Sequence, residues 1–266
     1  MTPGPAPSPP PFDPFKTAED PQDSQSQEPK MSEAGRLAGI FFSPGKAFAD
    51  IARRPSWWVP VILGMILTTV YLNAFSQRVG WEQTIRQAIE RTPNGQNMTP
   101  EQKQQAIVVG AKIYQYFGYG VGAVGTLLSI FIVSLILMFL FDTIMSAGVG
   151  LKRMMAIVAY GFLPLLIQTA LSMVVLFLKD PEDFNLQNPL MFNIGAFLST
   201  DTPAALRAIG SSIDLFSLWI IVLLAIGIST AAKKISFGKA LATLVLPWIL
   251  FVGLKAMAAA AGMYGA

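Results

Sequence analysis

Phe41–Pro60 reads FFSPGKAFADIARRPSWWVP, and the fold turns on how this stretch is read. Ser43 can cap a helix, and Pro44 suits its first position, where no amide partner is needed. Ala47, Phe48, Ile51 and Ala52 then share one face at helical spacing. Lys46, Arg53 and Arg54 gather just ahead of an apolar run that begins at Trp57. Paired tryptophans suit the headgroup level of a bilayer, where an amphipathic ring sits half wet. One segment thus supplies a surface helix, a basic anchor, an aromatic belt and the mouth of a membrane span. Phe48, Ile51, Arg53, Arg54, Trp57 and Trp58 are the expected membrane-surface anchor.

Composition agrees. Of 266 residues, 53% are hydrophobic and only 13% charged, where a soluble domain carries about a quarter. The chain contains no Cys and no His, which removes disulfides, thiolate chemistry, the commonest general base and the commonest metal ligand. The expectation is a non-enzymatic protein with no catalytic residues, no cofactor and no metal, and no nucleic acid as partner. No apolar signal core stands at the N-terminus.

Residues 1–31 are Pro-rich and polar, too poor in apolar side chains to order themselves. They read as a disordered tail, with a polyproline ligand for a partner domain as the alternative. Residues 32–56 form two short amphipathic helices, on the membrane surface or against the bundle. Residues 57–266 carry five spans, at about 57–75, 116–141, 154–178, 213–231 and 240–262. The fold class is all-α, a polytopic bundle of five transmembrane helices. Between the first two spans, Trp81, Ile85, Ala88 and Ile89 make an apolar stripe, and Thr99-Pro100-Glu101-Gln102 is a capping box. Gly118 and Gly122 form a GxxxG, usable as a dimer face or, more often, for close packing within one bundle. Pro164 lies inside the third span and should kink it; Pro247 lies inside the fifth.

Basic residues set the orientation. Lys46, Arg53, Arg54, Lys152, Arg153, Lys233, Lys234 and Lys239 sit within a few residues of span ends on one side. Those of the other side are scattered over two long loops. The N-terminus is therefore expected in the cytoplasm.

Four stretches carry a family likeness: SPGKAFADIARRPSWWVPVIL from Ser43, AYGFLPLLIQ (Ala159–Gln168), NPLMFNIGAFL (Asn188–Leu198) and SSIDLFSLWIIVLLAIG (Ser211–Gly227). In this order, and with five spans, the chain resembles bacterial members of the Yip (Ypt-interacting protein) family of small membrane proteins. The likeness runs from about Ser32 to the C-terminus. It implies a bacterial inner-membrane location. For eukaryotic relatives it implies binding of Rab-type GTPases and a role in vesicle traffic, through a cytoplasmic Asp-Leu-Tyr-Gly-Pro motif. That motif is absent here, which leaves GTPase binding open for this chain; the Tyr-Gly-x-Leu-Pro element is present as Tyr160–Pro164.

Few ionisable groups stand at membrane depth, where each is a functional candidate. Asp142, close before Lys152 and Arg153, reads as one half of a loop-end ion pair. Asp214 and Lys255 fall at a common level near the outer ends of spans four and five and are expected to pair, against a lysine that snorkels alone. Gln168 is the one strong hydrogen-bonding side chain near the centre of span three, either glue between helices or a substrate contact. Two functions follow. The first is a membrane organiser or adaptor, in contact with the bilayer and with a protein partner at the cytoplasmic N-terminal face. The second is a small transporter or lipid-moving protein, which requires a polar cavity at mid-membrane lined by Gln168.

Overall fold

The computed structural model describes residues 30–91, 93–186, 188–199 and 201–262, all helix and loop with no strand among them. The expected tail falls outside these residues except for Lys30 and Met31. Met31 belongs with the folded part, since its methyl packs over Gly39.

Two short helices come first. In α1 (Glu33–Phe42), Ser32 accepts a hydrogen bond from the Gly35 amide at 3.0 Å, satisfying one of the orphan donors of the first turn. In α2 (Pro44–Arg53), Pro44 holds the first position as expected, but the Ser43 hydroxyl makes no cap bond. Then α3 (Trp58–Arg78) crosses the molecule. The polar interruption folds as α4 (Trp81–Arg91) and the single turn α5 (Pro93–Gln96). At the start of α6 (Pro100–Gly120) the capping box closes reciprocally. The Thr99 amide donates to Gln102 Oε1 at 3.0 Å, and the Gln102 amide to Thr99 Oγ1 at 3.3 Å.

The helix continues through a π turn (Val121–Gly125) into α7 (Thr126–Met138) and a second π turn (Phe139–Ile144). Pro164 does more than kink the third span. It divides it into α8 (Leu151–Gly161) and α9 (Pro164–Leu178), because proline has no amide for the Tyr160 carbonyl and its ring crowds the preceding turn. After two 3-10 turns, Pro181–Asp183 and Ile194–Phe197, come α10 (Ala204–Ser212), α11 (Leu215–Ala231) and α12 (Phe237–Ala260). Pro247 lies half-buried inside α12, which runs through it unbroken.

Four helical stretches are long and apolar enough to cross a membrane: Trp58–Arg78, Thr126–Ile144, Leu151–Leu178 and Phe237–Ala260. A shorter apolar helix, Leu215–Ala231, accompanies them. Together they make this an all-α integral membrane protein. Exposed Ile66, Leu128, Phe131, Val174 and Leu250 on these helices are what a lipid-facing surface requires. At the centre is α8, buried from Met154 through Gly161 and packed on α7, α11 and α2.

Candidate functional site

Among the described residues, the most polar buried place lies under the two entry helices. Arg36 stands one turn before Ile40 on the inner face of α1, and is only 2% exposed. Its guanidinium donates from Nε to Asp50 Oδ2 at 2.7 Å and from Nη1 to Glu33 Oε1 at 3.1 Å and Ser56 Oγ at 2.8 Å. From Nη2 it reaches the Arg54 carbonyl at 3.1 Å. Arg54 closes onto the second Asp50 oxygen at 3.1 Å, Ser56 donates to Glu33 at 2.9 Å, and the Tyr160 hydroxyl donates to the other Glu33 oxygen. Two cations meet two carboxylates, so the cluster is neutral. Burial opposes the charge of Arg36, but the hydrogen bond and charge of Asp50 and the charge of Glu33 outweigh it and raise its pKa.

Apolar packing completes the clamp. Phe48 and Ile51, expected at the membrane surface, are instead fully buried in the protein core. The reason is space on α11: a Cβ added at Gly227 would stand 3.0 Å from the Phe48 ring and 2.7 Å from Ile157. The bare glycine lets α2 seat against α11 and α8. Phe41 adds an edge-on contact with Trp219, centroids 5.6 Å apart. Of the remaining expected anchors, Trp57 packs against the core, while Arg53, Arg54 and Trp58 keep exposed faces. The i,i+3 and i,i+4 charge pairs and the placing of Arg36 above Ile40 were visible in the sequence. Their convergence was not.

A second polar place lies halfway along the bundle. A cavity of about 200 Å³ opens where α3, α7 and the α8–α9 break meet, lined by Gly64, Thr68, Thr126, Ser129, Gln168 and Thr169 among others. Gly64 sets the crossing of α3 and α7, since a Cβ there would meet the Thr126 methyl at 2.8 Å. At the break the Leu163 amide turns to Tyr160 O (3.2 Å), leaving the Ala159 carbonyl without its i+4 donor. Ala159 lines the cavity.

Asp214 and Lys255 reach the same corner. Asp214 caps α11, accepting the Phe216 and Ser217 amides at 2.9 and 3.0 Å and the Ser217 hydroxyl. Lys255 Nζ donates to Ser211 Oγ at 3.0 Å and Ser212 Oγ at 3.1 Å, tying α12 to the end of α10. The amides of its own helix already stabilise the Asp214 carboxylate, and its charge also acts on the lysine across the corner. The lysine is not poised to activate a nucleophile. Both serine hydroxyls donate to the Ala208 carbonyl, at 3.0 and 2.8 Å, and the amine donates to their oxygens. The arrangement is a tether.

Asp142 likewise accepts the Val149 and Gly150 amides, at 2.8 and 2.7 Å, folding the loop before α8 back on itself instead of pairing with Lys152 or Arg153. Gly118 and Gly122 are both used within the chain. A Cβ on Gly118 would press on the Trp81 ring at 2.8 Å, and one on Gly122 would meet Thr69 Oγ1 at 3.2 Å.

A family model described as the Yip1 domain matches residues 38–257. No curated protein and no solved structure matches the chain.

Proposed function

This chain belongs to the Yip1-domain family, and from that premise we propose that it is a non-enzymatic membrane organiser or adaptor of the bacterial inner membrane. It crosses the bilayer five times, with its N-terminus in the cytoplasm. Its working surface is the rim of the entry helices, where Phe42, Lys46, Arg53 and Trp58 are exposed. The observation that carries this reading is the Arg36-centred clamp. A loose amphipathic helix would bind lipid on its own account. A hairpin whose apolar face is buried in the bundle and whose charges are cross-linked presents a fixed basic and aromatic rim, suited to a protein partner beside anionic headgroups.

Two measurements test it. A cysteine at Ser236 should be shielded from an impermeant thiol reagent in intact cells, and one at Asn97 should react; labelling in the opposite sense overturns the orientation. A photo-crosslinking residue at Phe42 or Lys46 should capture a defined protein partner in cells, and Arg36→Met should abolish the capture. Adducts to lipid alone at both positions would overturn the adaptor reading.

The cavity that Gln168 lines favours a second reading, a small transporter or lipid-moving protein. Flux or flip-flop of a tracer in proteoliposomes, lost on filling the cavity, is its test.

A further inference from the structure

The mid-bundle cavity has a chemistry of its own. Thr68 stands ten residues past the start of α3, about 15 Å along its axis and thus near half of a roughly 30 Å hydrocarbon core. No Asp, Glu, Lys or Arg lines the space. Its polar groups are hydroxyls, an amide and backbone. Ser129 donates to Thr126 O at 2.9 Å and Thr169 to Leu165 O at 2.8 Å, so both present oxygen lone pairs to the cavity instead of protons. Ala159, whose carbonyl lacks its i+4 donor at the break, is among the lining residues. The Gln168 side chain bonds to no other described residue and brings two N–H donors and one oxygen. The site therefore offers acceptors to a hydroxyl and, through Gln168 and the hydroxyls of Thr68 and Thr126, donors to a carbonyl.

Size and access narrow the occupant. A cavity of about 200 Å³ has room for several water molecules. That leaves room for a glycerol unit with one ester. The lining residues Ser129 and Leu165 are exposed on the surface that faces lipid. A ligand reaches the cavity from within the bilayer, leaving its chains among the apolar side chains outside. An ionised phosphate at this depth would meet no cation and keep its full desolvation cost.

We infer that this cavity is a binding site for the uncharged hydroxyl-and-ester end of a neutral lipid of the diacylglycerol type, entering sideways from the membrane. It deepens the second functional reading, but binding needs no movement of the lipid.

The experiment uses the full-length protein in nanodiscs with two photoactivatable probes, a diacylglycerol and a phosphatidylglycerol carrying the same chains. The diacylglycerol should label α3, α7 or α9 saturably and at least tenfold better than phosphatidylglycerol. Gln168→Leu should weaken it about tenfold, while Gln77→Leu, away from the cavity, leaves it unchanged. Thr68→Val, which keeps shape and loses only a hydroxyl, stands in if Gln168→Leu fails to fold. Equal labelling by both probes, or labelling indifferent to Gln168→Leu and Thr68→Val, overturns the site. So does complete competition by free glycerol, which would make the ligand a soluble polyol, or no labelling at all, which would make the cavity merely hydrated. Specific labelling without flip-flop in proteoliposomes would keep the site and dismiss the lipid-moving reading.

Discussion

Two arginines close the two ends of α3, and they do so by opposite physics. At the Trp58 end, Arg36 is buried among carboxylates, a hydroxyl and one carbonyl drawn from the two entry helices and the link to α3. About 30 Å away, at the other end, Arg78 is exposed. It donates to the Leu176 and Phe177 carbonyls at 2.6 and 2.9 Å, and lies 5.6 Å over the Phe177 ring. Arg78 caps the C-terminal carbonyls of α9, a place where a cation is welcome and water is a ready substitute. Arg36 has no substitute. Taking its charges out of water is costly, and only the full set of partners offsets the cost. One end is a lock with a single arrangement; the other is a cap that tolerates loosening.

The largest expected effect is at the lock. Arg36→Met would strand Asp50 and Glu33 and cost on the order of 3–5 kcal/mol. It should appear as a lowered thermal midpoint in nanodiscs and as protease cleavage near Pro55. A loss below about 1 kcal/mol would place Arg36 in the same class as Arg78. The pH dependence sharpens the point. The pKa of Arg36 is raised on folding, so its contribution is complete below the unfolded arginine value and is lost only as pH climbs through the higher folded one. Between about pH 6 and 10 the wild-type clamp should hold without change on account of this group.

Next comes the apolar half of the lock. Gly227→Val would push a methyl group into Phe48 and Ile157, at about 1–3 kcal/mol. Cysteine accessibility at Ala47, now buried, should rise with it. If stability falls while Ala47 stays protected, α2 is held by its charges alone.

The Asp214 corner asks to which class a third polar site belongs. Asp214→Ala removes a helix cap worth about 1 kcal/mol. Lys255→Met breaks the separate tether to α10. The double change should cost at least about 0.5 kcal/mol less than the sum of the two losses in thermal denaturation, since the Asp214 charge acts on the lysine, and simple additivity would mean that the two side chains do not interact. The smallest effect is expected from Arg78→Met, about 1 kcal/mol or less, weakening further with salt. A loss as large as that of Arg36→Met would erase the contrast.

Much of this was open to reading along the chain. Apolar length marked out the membrane-crossing stretches, the missing amide of Pro164 a kink where the helix in fact divides, and a four-residue pattern the Thr99–Gln102 box. Each depends on groups within a few residues of one another. The sites were less legible. Gln168 stood out as polar where apolar side chains surround it, but nothing local shows that Thr68 and Thr126 come to meet it. Phe48 and Ile51 were recognised as one apolar face, but membrane surface and bundle stayed open as its partner, because lipid and a protein core accept the same side chains.

By itself the sequence determined that this is a helical membrane protein of the Yip1-domain family, with two short entry helices ahead of its long apolar ones. Those properties come from hydropathy, periodicity and capping, all short-range. Only the tertiary structure decided what the entry helices rest on, which charges are buried and where a cavity remains. Asp50 lies 14 residues from Arg36, and Tyr160 lies 127 from Glu33. Such pairs are chosen by the angles at which whole helices pack. Those angles depend on every glycine and side chain along the contact, so no local pattern announces them.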